Sequence, residues 1–281
     1  MHKIYYYLKP LLPRSVQILF RRIRAKRIYR NLNGQVLGSG IEDIEPHESR
    51  WPNNTRCAVL LTHDVETKKG LENIEVLRDI EREFGVVSTW SFVVDKYGDV
   101  SKYIEKLQNE GCECAAHGLY HDGKLFSSMK TYESRMEIIY DWAKEHNING
   151  FRSPSLLRNA EWMQDMQFQW DSSFPAWDPF QPQPGGCNKY LPFMLSEKTM
   201  EFPVTLWQDF TVFQEMNQRS IDIWKSQFGD IQSIGGLVNV ITHPDYSKGM
   251  IHFYDTLLSH ITRSTDCWVA TPAEYLSWIE L

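Results

Sequence analysis

Residues 57–66 read CAVLLTHDVE, an apolar run of strand length that ends in a group of polar side chains. An unbroken apolar run is typical of a strand that is buried on both faces, as the strands of parallel sheets are. The functional residues of parallel α/β barrels collect where such strands end. The stretch therefore predicts the class of fold, and it also predicts a site beside Asp64 and Glu66.

The chain beyond this strand alternates between helix patterns and strand patterns. Apolar spacing predicts helices at residues 71–84, 100–109, 132–146, 160–166, 221–231 and 251–263, and strands at residues 86–94, 112–116, 148–152, 168–171, 200–204, 236–242 and 267–270. A last helix is expected after Thr271, because Pro272 and Glu274 follow it in the pattern of a capping box. Regular alternation predicts an α/β fold whose strands are mostly parallel.

Composition narrows the class of protein. The chain has 281 residues, enough for one sizeable domain or two small ones, and its net charge of −6 argues against nucleic acid as a partner. Five cysteines without a paired spacing predict reduced thiols. The sequence has no apolar run of membrane-spanning length and no secretory leader pattern, so we expect a cytoplasmic protein.

The first thirty residues are strongly basic. They contain nine Lys and Arg and no Asp or Glu, which leaves the rest of the chain at −15. One interpretation is a segment that lies on the anionic inner face of a membrane. The other is a helix, starting near Arg14, that packs on the domain with its cations in solvent; a nucleic-acid-binding arm is a third. We divide the chain into a basic extension and connector, residues 1–50, and one domain, residues 51–281.

Five predicted strand ends carry reactive side chains. They are Asp64 with Glu66, His117 with His121, Arg152, Asp171 and His243. Each of these taken alone has an ordinary structural explanation, such as a cap, an ion pair or a buried imidazole. Five of them at corresponding positions of one fold favour a functional site.

The histidine pair suggests the chemistry of this site. His117 and His121 are four residues apart, so on a helical turn they would share one face and could bind one metal ion. Two histidines, one carboxylate and open water positions give a divalent ion such as zinc a catalytic coordination shell. A second carboxylate could accept the proton of a water molecule, and a histidine could protonate a leaving amine. The residues therefore suggest metal-assisted hydrolysis.

The ordered set of motifs resembles the polysaccharide deacetylase family, carbohydrate esterase family four. The quoted motifs are Thr62-His63-Asp64-Val65-Glu66, His117-Gly118-Leu119-Tyr120-His121, Phe151-Arg152-Ser153-Pro154, Trp170-Asp171-Ser172-Ser173, Ile241-Thr242-His243-Pro244 and Thr271-Pro272-Ala273-Glu274. The resemblance covers the chain from about Cys57 to the C-terminus. It implies a distorted (β/α) barrel with seven strands, a divalent metal ion for which we expect zinc, and hydrolysis of an N-acyl group, more rarely an O-acyl group, on a carbohydrate.

The resemblance also implies a role for each matched residue. His117 and His121 would be metal ligands, Asp64 the catalytic base and His243 the catalytic acid. Arg152 would tune Asp64, and Asp171 would tune His243.

The first motif departs from the family pattern. Val65 stands where the family usually has its metal-binding Asp, and Glu66 follows it. Residues i and i+2 of an extended strand point the same way, so Asp64 and Glu66 can both face the site. We expect Glu66 to be the metal ligand, with Asp64 as the alternative.

The sequence therefore predicts an enzyme that removes an N-acyl group, expected to be acetyl, from a carbohydrate. We expect it to act on a lipid-linked or oligosaccharide substrate at the inner face of the membrane, during surface-polysaccharide synthesis. Two alternatives stay open. One is a non-catalytic carbohydrate-binding relative, and the other is a deformylase or amidase that acts on another C–N bond.

Overall fold

The computed structural model describes residues 13–41, 50–246, 248–263 and 266–280. Parts of the predicted extension and connector, residues 1–12 and 42–49, lie outside the described residues.

The described residues form nine strands and nine helices, numbered here in chain order. The strands are β1 Cys57–Val65, β2 Thr89–Phe92, β3 Glu113–Ala116, β4 Gly150–Phe151, β5 Trp170–Asp171, β6 Phe193–Met194, β7 Met200–Glu201, β8 Leu237–Thr242 and β9 Cys267–Ala270. The helices are α1 Arg14–Asn31, α2 Lys68–Glu72, α3 Ile74–Phe84, α4 Ser101–Asn109, α5 Met129–Glu145, α6 Ala160–Met163, α7 Asp222–Ser233, α8 Lys248–Thr262 and α9 Pro272–Ile279.

Strand β1 is the centre of the sheet. Strand β8 runs parallel to one of its edges, from Ala58 to His63. The other edge is shared, because β9 pairs with residues 57–60 and β2 pairs with residues 62–65. Every residue of β1 is buried. The strand predicted from the apolar run is thus confirmed, and it is buried on both faces because it has parallel neighbours on both edges.

The sheet curls into an incomplete barrel. Seven parallel strands follow the order β7-β5-β4-β3-β2-β1-β8, with β6 antiparallel at the outer edge of β7 and β9 beside β1. Beyond β7 the chain returns to β8, since the backbone N–H groups of Thr205 and Leu206 both donate to the carbonyl of Asn239 at 3.1 Å. The predicted distorted α/β barrel is confirmed. Its wall is irregular because β4, β5 and β7 are only two residues long.

One predicted helix is divided in two. The apolar spacing over residues 71–84 predicts a single helix, but α2 ends and α3 begins at Asn73. The side-chain amide of Asn73 donates to the carbonyl of Pro244 at 2.6 Å. Pro244 lies just after the end of β8. The predicted helix is therefore interrupted at Asn73, the residue whose side chain contacts that strand end. By contrast, the capping box predicted at Thr271 is confirmed in α9.

Helix α1 packs on the barrel. Ala25 is fully buried, and Ile28 and Tyr29 also contact the hydrophobic core. The guanidinium of Arg24 donates to the carbonyl of Phe180 at 2.6 Å. The packed helix that the sequence predicted from Arg14 is therefore present, while the domain boundary at residue 50 stays a prediction. Within the described residues, no helix has both the length and the apolar character needed to cross a membrane.

Two carboxyl groups are buried side by side in the sheet. Asp171 of β5 and Glu201 of β7 are paired across the ladder, and both are fully buried. Burial, and then the charge of Asp171, raises the pKa of Glu201 well above its usual value. Burial and the neighbouring carboxylate therefore both favour the protonated form of Glu201.

This protonated state makes a prediction about stability. A raised pKa in the folded state means that the stabilising contribution of Glu201 is present at low pH and is lost as the pH rises above about 4.3, the usual value for Glu. Glu201→Gln keeps the shape and carries no charge. We expect the free energy of unfolding of this variant, relative to the native chain, to rise by up to about 1.4 kcal/mol per pH unit as the pH increases from about 4.3 toward the raised pKa of Glu201.

Urea denaturation at several pH values measures this difference. Replacement of the exposed Glu197 by Gln is the matched control, and we expect it to produce no such slope. A Glu201→Gln difference that stays constant with pH would show that Glu201 is ionised in the folded protein.

Candidate active site

The end of β1 presents two carboxylates to the same side. Asp64 and Glu66 alternate with His63 and Val65, as the period of a strand requires. His63 faces away from the site into a buried cluster, where its Nε2 lies 2.7 Å from Glu81 Oε1. Strand β1 is therefore fixed from behind while its front face carries the acids.

The two predicted histidines follow β3 on a loop. The sequence predicted the pair just after a strand, and the structure places both residues there, although residues 117–122 contain no helical turn. The loop turns back at Gly118, which has φ +69°, and at His121, which has φ +53°. A side chain at Gly118 would also meet Pro154, with an added Cβ only 2.6 Å from its Cγ. The turn brings the imidazole centroids of His117 and His121 to 5.2 Å from each other.

The backbone fixes the tautomer of His117. Its Nδ1 lies 3.0 Å from the carbonyl oxygen of Arg152, which can only accept a hydrogen bond. Nδ1 therefore carries the proton, and Nε2 presents a lone pair to the site. This Nε2 is buried and has no hydrogen-bond partner among the described residues. An imidazole held by a backbone carbonyl with a free Nε2 is the usual arrangement of a metal ligand.

Glu66 completes a set of three metal donors. One ligand atom each from Glu66, His117 and His121 lie within 4.8 Å of one another. The Nε2 of His121 is 2.8 Å from Glu66 Oε1, although it does not make a hydrogen bond of good geometry. Two imidazole nitrogens and one carboxylate fit a catalytic zinc site in their chemistry. Of the two carboxylates that the sequence left open, Glu66 is the one that lies with the histidine pair.

Asp64 lies between Arg152 and His117, and its Oδ2 is 3.7 Å from His117 Nε2. Arg152 is 1% exposed, and its guanidinium donates to Thr62 Oγ1 at 2.7 Å and to Asp64 Oδ1 at 3.4 Å. The other guanidinium nitrogens of Arg152 donate to Ser172. Nε donates to its carbonyl at 3.0 Å, and Nη2 donates to its hydroxyl at 2.8 Å. The predicted partnership of Arg152 with Asp64 is thus present in the structure.

The acid beside His243 is different from the predicted one. His243 Nδ1 lies 2.6 Å from Asp209 Oδ1, and its backbone N–H donates to Asp209 Oδ2 at 2.7 Å. Asp171, which we expected in this place, instead accepts hydrogen bonds from the hydroxyl and the N–H of Ser173. The tuning role assigned to Asp171 therefore falls to Asp209. Asp209 stands in a segment for which the sequence pattern gave no element, just before a π-helical turn over Phe210–Glu215.

The environment separates the protonation states of these groups. Burial would raise the pKa of Asp64, but His117 and Arg152 outweigh it and hold the pKa below its usual value. Burial lowers the pKa of His117 to about 4. Burial would also lower the pKa of His243, but Asp209 raises it to about 10. At neutral pH the site therefore contains an ionised carboxylate, a neutral imidazole and an imidazolium, as acid–base catalysis requires.

A further carboxylate holds the Glu66 segment in place. Asp245 follows His243 by two residues, and its Oδ2 accepts the backbone N–H of Glu66 at 3.0 Å. Its Oδ1 accepts the hydroxyl of Thr67. Gly70 is needed behind it, because an added Cβ would lie 2.7 Å from Asp245 Oδ2. Asp245 was not among the residues predicted from the sequence, although its position just after the end of β8 could have suggested it.

A cavity of about 580 Å³ opens over these residues. Its walls include Asp64, Glu66, His121 and His243, so two of the three candidate metal donors share one space with Asp64 and His243. Volumes of roughly 300–1,000 Å³ are usual for sites that bind small ligands. A larger groove of about 900 Å³ near residues 164–167 and 195–198 contains no histidine and lies apart from this chemistry.

Solved structures share this architecture. A protein from Mycobacterium smegmatis described as a polysaccharide deacetylase is 18% identical, with a TM-score of 0.65 over 84% of this chain and 95% of that one. A protein from Pseudomonas aeruginosa PAO1 with the same description is 14% identical, with a TM-score of 0.64 over 82% of this chain and 92% of the other. Puue allantoinase is 12% identical, with a TM-score of 0.65 over the same shares.

These likenesses define the fold. The chain has the polysaccharide deacetylase fold, which the motifs from about Cys57 to the C-terminus suggested. No protein-family model matches the sequence. No curated protein matches it either.

The geometry predicts which substitutions abolish metal binding. Glu66→Gln and His117→Ala each remove a donor, so we expect zinc affinity to fall by more than the ~10–100-fold that loss of a supporting group costs. Asp64→Asn is the matched control and is expected to bind zinc as the native chain does. Isothermal titration of chelator-stripped protein measures the affinities. If Asp64→Asn loses as much affinity as Glu66→Gln, the metal carboxylate is Asp64 and our assignment is wrong.

Proposed function

We propose that the protein is a metal-dependent hydrolase that removes an N-acyl group, expected to be acetyl, from a carbohydrate. The separation of the two carboxylates is the observation that carries the proposal. Glu66 lies within reach of both histidines, whereas Asp64 accepts from Arg152 at 3.4 Å and lies 3.7 Å from His117 Nε2. The Nε2 of His243 is 3.6 Å from Glu66 Oε1. The fold that the chain shares with polysaccharide deacetylases supports a carbohydrate as the substrate.

Each residue contributes a defined part of the hydrolysis. Glu66, His117 and His121 would hold a divalent ion, for which we expect zinc. Such an ion would act as a Lewis acid that polarises a carbonyl and lowers the pKa of a bound water. Asp64, held ionised beside Arg152, accepts the proton of the attacking water. The water oxygen forms a bond to the acyl carbon, and the C–N bond breaks.

His243 acts on the leaving group. Its pKa of about 10 keeps it protonated at neutral pH, so it can donate a proton to the sugar nitrogen as that nitrogen leaves. Asp209 fixes the orientation of the ring through Nδ1 and leaves Nε2 directed to the site. The products are a carboxylic acid and an amino sugar.

The proposal predicts acetate release from N-acetylated saccharides. We expect release to stop with a strong chelator and to resume with added zinc. Asp64→Asn retains the metal and should lower kcat about 10²–10⁴-fold, because the general base is lost. Acetate is measured enzymatically, with formate and ammonia measured in parallel.

The same assay separates the rival functions. Puue allantoinase has the same fold, so hydrolysis of a different C–N bond is the main alternative. Formate or ammonia without acetate would favour a deformylase or an amidase. Saccharide binding without any product, in protein that contains zinc, would favour a non-catalytic carbohydrate-binding protein.

We further propose that the protein works at the inner, anionic face of a membrane, on a lipid-linked glycan of surface-polysaccharide synthesis. The solvent side of α1 supports this. Leu19, Phe20 and Ile23 are each more than half exposed there. The same side of α1 also carries four exposed cations, Arg22, Lys26, Arg27 and Arg30. An apolar patch next to cations, on a helix without acids, is complementary to an anionic lipid surface.

Vesicle sedimentation tests the membrane contact. We expect binding to vesicles that contain phosphatidylglycerol, weaker binding in high salt, and little binding to phosphatidylcholine alone. Replacement of Leu19, Phe20 and Ile23 by Ser should weaken binding at least about tenfold. The exposed Ile138 of α5, replaced by Ser, is the control. Equal sedimentation of the native chain and the triple variant would contradict the contact.

A further inference from the structure

The inner side of α1 reaches the same cavity as the catalytic groups. Arg21 and Glu215 line that cavity together with Glu66 and His243. The guanidinium of Arg21 lies 3.2 Å from Glu215 Oε1. A helix outside the predicted domain therefore forms part of the wall of the active-site cavity.

A row of aromatic rings joins this wall to the catalytic histidine. The ring centroids of His243 and Tyr246 are 5.2 Å apart, and those of Tyr246 and Phe210 are 5.5 Å apart. Arg21 Cζ then lies 5.3 Å from the centre of the Phe210 ring. These side chains all line the cavity, so its surface continues without interruption from the site of acid–base chemistry to Arg21.

Neighbouring contacts hold α1 in this position. Arg22 Nε donates to the carbonyl of Gln214 at 3.0 Å, and the Arg24 fork donates to the carbonyls of Pro179, Phe180 and Gln181. These bonds connect residues more than 150 positions apart in the chain. Arg22 and Arg24 thus hold α1 against the barrel, and Arg21, next to Arg22, lines the cavity.

Glu215 is an unusual residue for such a wall. It is 7% exposed, at the end of the π-helical turn. Burial raises its pKa to about 7, against the opposing charges of Arg21 and Arg24. A buried carboxyl group with a single arginine partner at a cavity surface has acceptor capacity left for a ligand.

We propose that Arg21, Glu215 and Phe210 form a second sugar subsite, which binds the saccharide unit next to the acylated one. The proposal rests on the proposed function, because it assumes that the acylated sugar lies over the metal donors. A sugar ring offers hydroxyl groups that can donate to Glu215 and accept from Arg21, and its C–H groups can contact the part of Phe210 that lines the cavity. The ligand class is therefore an N-acylated oligosaccharide of at least two units.

The subsite gives the basic helix a role in specificity. Binding energy from a sugar unit remote from the reacting bond can be used to position the acyl group for attack. Substrates that lack the second unit would lose this contribution. Helix α1 would thus select the length of the glycan through its inner side.

Saccharide binding to the Asp64→Asn variant tests the subsite without turnover. The probes are N-acetylglucosamine, N-acetylgalactosamine and N-acetylmannosamine, each compared with a β-linked disaccharide that carries it, by titration calorimetry of the full zinc-loaded chain. We expect at least one disaccharide to bind about tenfold or more tightly than its monosaccharide, the size expected of a charge-assisted hydrogen bond. In the Asp64→Asn chain, a second substitution, Arg21→Ala or Glu215→Gln, should remove this preference and leave monosaccharide binding unchanged.

Two controls separate binding from folding. Arg22→Ala removes a contact of the same helix outside the cavity and should keep the preference. Arg21→Lys keeps the positive charge but not the two-pronged guanidinium, so this variant should retain part of the preference for the disaccharide. Thermal unfolding of every variant identifies any loss of structure.

Two results would overturn the subsite. One is a panel in which no disaccharide binds more tightly than its monosaccharide. The other is a preference that survives both Arg21→Ala and Glu215→Gln. If the preference for the disaccharide depends on Arg21 but the native chain releases no acetate, the subsite is supported and the proposed deacylase function is rejected.

Discussion

The site depends on the alternation of side chains at the end of β1. Because the strand is extended, Asp64 and Glu66 point to the front while His63 and Val65 point to the back. The back is rigid, since His63 lies 2.7 Å from Glu81 and 2.7 Å from Thr242 Oγ1. Fixed in this way, one short stretch supplies both the carboxylate that we propose as a metal donor and the one that we propose as the base. A substitution that shifted the register by one residue would exchange the two faces and remove both functions.

The proposed chemistry also requires neighbouring ionisable groups to keep different charges in one buried space. Arg152 holds Asp64 ionised, the carbonyl of Arg152 fixes His117 in the tautomer that leaves Nε2 free, and Asp209 keeps His243 protonated. Removing one partner from such a network leaves a buried charge uncompensated, which costs about 3–5 kcal/mol. The supporting residues therefore matter as much as the groups that contact a substrate. Helix α1 completes the surroundings from outside the barrel, with Arg21 in the cavity and its opposite side in solvent.

The sequence could indicate the site because strand ends concentrate function in this class of fold. Asp64, Glu66, His117, His121, Arg152 and His243 are brought together in the structure, as the motifs predicted. Asp209 was missed for a physical reason. It lies 34 residues from His243, in a segment without strand or helix periodicity, and only the return of the chain from β7 to β8 brings the two together.

By itself the sequence determined the alternating strands and helices, the central strand, the capping box at Thr271 and the identity of most chemical groups, because these depend on local periodicity and on short motifs. Tertiary structure decided the rest. Glu66 lies within reach of both histidines because the 117–121 loop turns back at Gly118, where a side chain would meet Pro154. The place of α1 depends on hydrogen bonds to carbonyls more than 150 residues away. Contacts of this kind leave no periodic pattern in a sequence, since each is fixed only when the barrel has formed.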